Sequence, residues 1–219
     1  MTKENSLLSL FESAIKEKVV LTKKQRAVLN ASLILFSEKG YEKTSTSDIA
    51  KRAGVAEGTV YKQFKTKKNL LINGIAPILK IVFEDAINEF SENSLKDKEM
   101  TLHEYLTDIV QDRSNFVEKN LPAIKVILNQ MLTNPEFAKI VITKFKKSLE
   151  AYVNPILNNL RQNNQLIELP NYQIFRFIFS SVAGTVIGYH VNDKSSLGEE
   201  INATILLLEK ALSKANQDN

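Results

Sequence analysis

The sequence predicts an all-α fold, and three observations carry that expectation. Only 7 Gly and 5 Pro interrupt 219 residues, while Leu, Lys, Glu, Ala and Gln recur with apolar positions three and four apart, the period of an amphipathic helix. Ser or Thr precedes several of these periodic runs and Gly follows them, as start and stop signals should. The 43% hydrophobic content is enough for a sizeable core.

Taken in chain order, Leu7, Leu8, Leu10, Phe11, Ala14 and Ile15 predict a short amphipathic helix over residues 5–18, ahead of the main fold. Thr22 is placed to cap a helix over 23–39, with an apolar stripe of Ala27, Val28, Ala31, Leu35 and Phe36 and a glycine stop at Gly40. Ser45 and Asp48 form a capping-box pattern for a short helix carrying Ile49, Ala50 and Ala53, which Gly54 ends. Residues 57–64 form the next helix, with Val60, Tyr61 and Phe64 on its inward edge. A longer helix capped by Thr66 should run to about Phe90 with a kink at Pro77, and Ser91 to Glu99 reads as a loop. Further helices are expected at 101–119, 122–133, 135–163 with a bend at Pro155, 170–191 and 196–215.

Composition narrows function. With no Cys and only His103 and His190, widely separated, disulfides, thiol nucleophiles and a clustered zinc site are excluded, and no metal or cofactor is expected. No glycine-rich phosphate loop follows a strand and no nucleophile is paired with a base, so the chain does not read as an enzyme. The N-terminus carries acidic residues through its apolar stretch and lacks a small-residue cleavage site, so a cytoplasmic location is expected. The segment from Gln173 to Val191 is apolar, but it contains Arg176 and His190 and matches a helix buried all round in a soluble bundle better than a membrane span. Charge is lopsided: residues 1–70 hold 14 Lys+Arg against 7 Asp+Glu, net +7, whereas residues 71–219 hold 15 against 18, net −3. A basic N-terminal third points to a polyanionic partner.

The stretch TSTSDIAKRAGVAEGTVYKQFKTKKNLL supplies the motif: short helix, tight turn at Gly54, second short helix rich in exposed donors. Small Ala50 and Ala53 stand where two helices cross, and Ile49, Val55 and Val60 wedge between them. The run from Gly40-Tyr41 through Thr44-Ser45, Ile49-Ala50, Ala53-Gly54-Val55, Gly58-Thr59-Val60-Tyr61, Phe64 and Lys67 to Leu70 resembles the DNA-binding signature of the tetracycline-repressor (TetR) family. The resemblance covers about residues 22–70. It implies a three-helix DNA-binding domain over 21–68 and a regulatory ligand-binding and dimerisation domain over 69–219, while periodicity alone predicts the N-terminal helical extension over 1–20.

The resemblance further implies that the third helix of the domain enters the major groove. Gly58 would allow close backbone approach, Thr59 and Lys62 would point at base edges or nearby phosphates, and Thr46, Tyr61, Gln63 and Lys67 would bond phosphate oxygens. Hydroxyls, amides and ammonium groups are the usual phosphate ligands, and Lys62 can donate to guanine O6 and N7. Ala56 departs from the family pattern, since a serine commonly caps the third helix there, and Glu57 would sit near DNA phosphates, so neither is assigned to the site.

By the same resemblance, residues 71–219 would hold a small lipophilic effector, and the last two helices would pair across a homodimer. Small residues Ser180, Ser181, Ala183, Gly184 and Gly188 permit close helix approach, with Ile201, Ile205 and Leu208 as a matching stripe. Tyr105, Asn129, Gln130, Tyr152 and Arg176 are polar groups able to orient a ligand, but sequence alone assigns no ligand residue. The reading is a transcriptional repressor that leaves a palindromic operator when its effector binds. Two other classes stay open: a helical lipid or small-molecule binder with a basic membrane-facing patch, and a helical enzyme with an apolar active site. The polar face of Thr59, Lys62, Gln63, Lys65 and Lys67 favours DNA over membrane, which would select apolar residues beside the lysines.

Overall fold

The computed structural model describes residues 6–79, 81–82, 100–191 and 195–214, without side-chain detail at 144, 145, 147 and 148. Among them every regular element is a helix, and the sole β interaction is an isolated bridge between Leu166 and Ser213. Contacts divide the chain into two units, residues 1–87 with 120–147 and residues 88–119 with 148–219.

In the first unit, α1 (Leu7–Glu17) is capped by Ser6, whose hydroxyl accepts from the Ser9 N–H. Its buried residues Leu7, Phe11, Ala14 and Ile15 fall on one stripe that packs against α2 (Lys23–Lys39). The Leu7 N–H donates to Asn120 Oδ1 at 2.5 Å, which satisfies one of the orphan donors of the first turn. The capping box of α2 is complete: the Gln25 N–H donates to Thr22 Oγ1 and the Thr22 N–H to Gln25 Oε1.

Burial on α2 exceeds the single expected stripe, because Leu29 and Leu33 are buried as well as Val28, Ala31, Leu35 and Phe36, while Ala27 is only half-buried. The cause is that α2 is enclosed by α1, by α3 (Thr46–Ala53) and by α7 (Leu121–Thr133). Gly40 ends α2 at φ +85°, a backbone conformation that other residues avoid.

After α4 (Glu57–Phe64), α5 (Lys67–Asn69) passes into a π-helical stretch, Leu70–Ile75, and then into helical residues 76–79. The expected kink at Pro77 thus takes the form of a wider turn just before the proline, where the Asn73 carbonyl loses its usual donor. Gly74 is required there by close packing, since a Cβ would lie 2.5 Å from Leu29 Cδ2 and 3.1 Å from Phe64 Cε1. The expected continuation to Phe90 and the loop from Ser91 to Glu99 lie outside the described residues. In the same unit, α8 (Pro135–Ser148) follows α7.

The second unit contains α6 (Leu102–Lys119), α9 (Asn154–Gln162), α10 (Asn171–Val191) and α11 (Leu197–Leu212). A π-helical stretch, Leu149–Val153, precedes Pro155 as the other precedes Pro77, so the expected bend is again a change of helical register. Tyr105, Leu106, Leu160, Ile178, Ile205 and Leu208 are among the buried residues of one core made by α6, α9, α10 and α11.

Two expectations change here. Ile201, Ile205 and Leu208 are buried inside this core at 5%, 6% and 1% exposure, so they are not a surface stripe; the large exposed apolar residues of α11 are Leu206 and Leu207. Nor is α10 buried all round. By length and composition it is apolar enough to cross a membrane, yet Phe177, Phe179, Ile187 and Val191 remain exposed on the chain.

Candidate nucleic-acid interface

The turn between α3 and α4 is set by local chemistry. Ser45 and Asp48 form a reciprocal capping box, in which the Asp48 N–H donates to Ser45 Oγ and the Ser45 N–H donates to Asp48 Oδ2. That backbone bond, followed by the Ser45 hydroxyl, holds the Asp48 carboxyl below the usual carboxylate range, with Lys39 adding to the effect. Gly54 closes the turn in the left-handed conformation, φ 65° and ψ 34°. Ile49 and Val60 of the expected wedge are buried between the helices, with small Ala50 buried beside them, whereas Val55 is only half-buried. Ala56 occupies the N-cap of α4 without a side-chain bond.

This frame presents one edge of α4 outward. Gly58 and Lys62 are exposed, and a Cβ at Gly58 would meet nothing within 4 Å. Tyr61 is 68% exposed, which corrects its expected place on the inward edge; Val60 alone is fully buried and Phe64 is half-buried. Thr59 and Gln63 are half-buried, and Gln63 Oε1 is out of solvent with no hydrogen-bond partner among the described residues. Arg52 pairs with Glu38 at 2.8 Å and Lys39 with Asp48 at 3.6 Å, which ties these cations to their neighbours on the domain surface.

Two expected phosphate ligands are engaged within the chain. Thr46, the first residue of α3, donates its hydroxyl to Glu57 Oε1 at 3.2 Å and so links the starts of the two helices. Lys67 donates from Nζ to the carbonyls of Tyr41 at 2.8 Å, Thr44 at 3.1 Å and Glu42 at 3.3 Å. The same ammonium lies 4.3 Å from the centre of the Tyr41 ring. Tyr41 in turn packs edge-on to Phe36 at 5.0 Å, and burial, with the Glu42 charge second, raises its phenol above the usual range. The structure therefore brings Thr46, Gly58, Thr59, Tyr61, Lys62 and Gln63 together on α3 and α4, and sets Lys67 into the turn before α3. Tyr41 and Glu57 were not assigned roles from sequence. An aromatic directly after a helix-ending glycine was the available signal for Tyr41.

The family model for bacterial regulatory proteins of the tetR family matches residues 28–73. The Transposon Tn10 TetC protein of Escherichia coli is 31% identical over 143 residues, covering 64% of this chain and 67% of that protein. The chain belongs to the tetR family. It is therefore a DNA-binding transcriptional regulator, built as a helix-turn-helix followed by a helical C-terminal part. Among its tetR-family relatives, the fatty acid metabolism regulator protein of Bacillus subtilis is 28% identical over 179 residues, covering 78% of this chain and 86% of the relative. A solved structure of the transcriptional regulator FadR from Bacillus subtilis, in complex with stearoyl-CoA, aligns with a TM-score of 0.58 at 25% identity over 83% of this chain and 96% of that one.

Proposed function

We propose that this tetR-family chain is a cytoplasmic transcriptional repressor that binds a palindromic operator as a homodimer and leaves it when a lipophilic effector binds. The observation that carries the DNA reading is the outward edge of α4, where exposed Tyr61 and Lys62 flank an open Gly58. In this reading residues 21–68 bind DNA, with Thr46, Thr59, Tyr61, Lys62 and Gln63 as contacts, Gly58 as the point of close approach and Lys67 serving through the turn it holds. Residues 69–219 regulate. Their exposed apolar residues on α10 and α11, Phe179, Ile187, Leu206 and Leu207, supply a surface for a second copy.

The effector reading rests on Tyr105. Its side chain is 1% exposed within an otherwise apolar core, and its hydroxyl has no hydrogen-bond partner among the described residues. A buried unpaired hydroxyl is unfavourable and is relieved by a ligand that brings an acceptor or donor. A long-chain acyl compound combines an apolar body with such a group, and a FadR relative binds stearoyl-CoA. Operator selected from a random DNA pool, then titrated with protein with and without stearoyl-CoA, tests the proposal. Selection of an inverted repeat and release by the thioester are expected; an asymmetric site, or operator affinity that no long-chain acyl compound alters, would overturn the corresponding part.

A further inference from the structure

A groove of about 350 Å³ opens within the first unit, between the end of α2 and one face of α7. That volume lies in the range of small-molecule sites. Phe36 and Tyr41, the edge-to-face pair, form one wall. The other wall is a stripe of α7, on which Lys125, Val126, Asn129 and Gln130 recur at helical spacing.

Gln130 sets this groove apart from an ordinary surface depression. It is 3% exposed, and among the described residues no protein group bonds its carboxamide, whose atoms keep their solvent contact at the groove. A buried amide brings two donors and an acceptor that normally find partners. Lys125 is exposed at the same wall, again with no ion-pair partner among the described residues, and no acidic side chain lines the groove. The lining thus offers an ammonium and two carboxamides beside an aromatic wall.

We propose that this groove binds a small organic carboxylate, with its ring or short apolar body against Tyr41 and Val126 and its carboxylate toward Lys125 and the carboxamides of Asn129 and Gln130. The site is separate from the proposed effector site, because Tyr105 belongs to the other unit. Tyr41 connects it to DNA binding. The ring that walls the groove is the one under the Lys67 ammonium, and Lys67 opens the helix that directly follows α4.

Equilibrium dialysis of the full-length protein against labelled phenylacetate tests the proposal, with neutral phenylacetamide as competitor. Saturable binding of one phenylacetate per chain is expected, with the amide competing about tenfold less well. Lys125→Gln, at an exposed position, should weaken phenylacetate by about threefold to tenfold and erase the preference over the amide. Val126→Trp should fill the groove and abolish binding, whereas Tyr105→Phe should leave it unchanged. Absence of saturable binding to the wild type, or binding that survives both Lys125→Gln and Val126→Trp, would overturn the site.

Discussion

Replacing Lys67 by Met separates two roles for this lysine. Met keeps an unbranched apolar stem and loses the terminal ammonium, so three carbonyl bonds at 2.8, 3.1 and 3.3 Å and the cation's contact with the Tyr41 ring at 4.3 Å disappear together. Hydrogen bonds from charged donors contribute about 1.5–3 kcal/mol each at best, and a cation over a ring about 0.5–1 kcal/mol when exposed. Because Lys67 is only half-buried and the longest bond is weak, a total loss of roughly 2–3 kcal/mol is expected. At about 2–4 °C per kcal/mol for a chain of this size, Tm should fall by about 5–10 °C.

The deciding assay is operator affinity as a function of salt. A lysine that neutralises a phosphate contributes about 0.9 to the slope of log K against log salt. If Lys67 is committed to the turn between α2 and α3, Lys67→Met lowers stability and affinity but leaves the slope unchanged. A variant of wild-type stability whose salt slope has dropped by about one would refute the turn-holding role and restore direct phosphate contact.

Gly74→Ala should destabilise the fold by about 1–3 kcal/mol, since the added methyl meets buried Leu29 and Phe64; an unchanged urea midpoint would show that the packing gives way freely. Lys65 ends α4 at φ 60° and ψ −48°, so Lys65→Gly should raise stability by about 0.5–1 kcal/mol in the same measurement, and a loss would contradict the strain. The Asp48 carboxyl is held below its unfolded value, so its contribution is present at neutral pH and is lost as pH falls through the carboxylate range and below. The stability gap between wild type and Asp48→Asn should accordingly be constant above about pH 5 and shrink below about pH 4; a gap that widens in acid would reverse the assignment. Leu207→Glu places a charge on the exposed apolar face of α11, and analytical ultracentrifugation should find it shifted toward monomer with weakened operator binding. A stable dimer of this variant would move the interface elsewhere.

What the sequence by itself determined is local. Capping at Thr22, Ser45 and Thr66, the stops at Gly40 and Gly54, and helical periodicity depend on neighbours within one or two turns, so the helix order and the helix-turn-helix were legible without a structure. The outward polar edge of α4 followed from the same periodicity, although Tyr61 was assigned inward because an aromatic ring fits either environment.

Tertiary structure decided whatever depends on which residues distant in sequence come together. Periodicity gives each helix an apolar stripe but not its partner, so the burial of Ile201, Ile205 and Leu208 in one core and the enclosure of α2 by α1, α3 and α7 emerged only on packing. Lys67 reads as a free cation until the carbonyls of Tyr41, Glu42 and Thr44, some 23 to 26 residues earlier, are found around its ammonium. Gln130 reads as one amide among several polar residues until folding buries it beside Phe36 and Tyr41, with no protein partner for its carboxamide among the described residues. Hydrogen-bond satisfaction is a property of the assembled interior, and no local pattern encodes it.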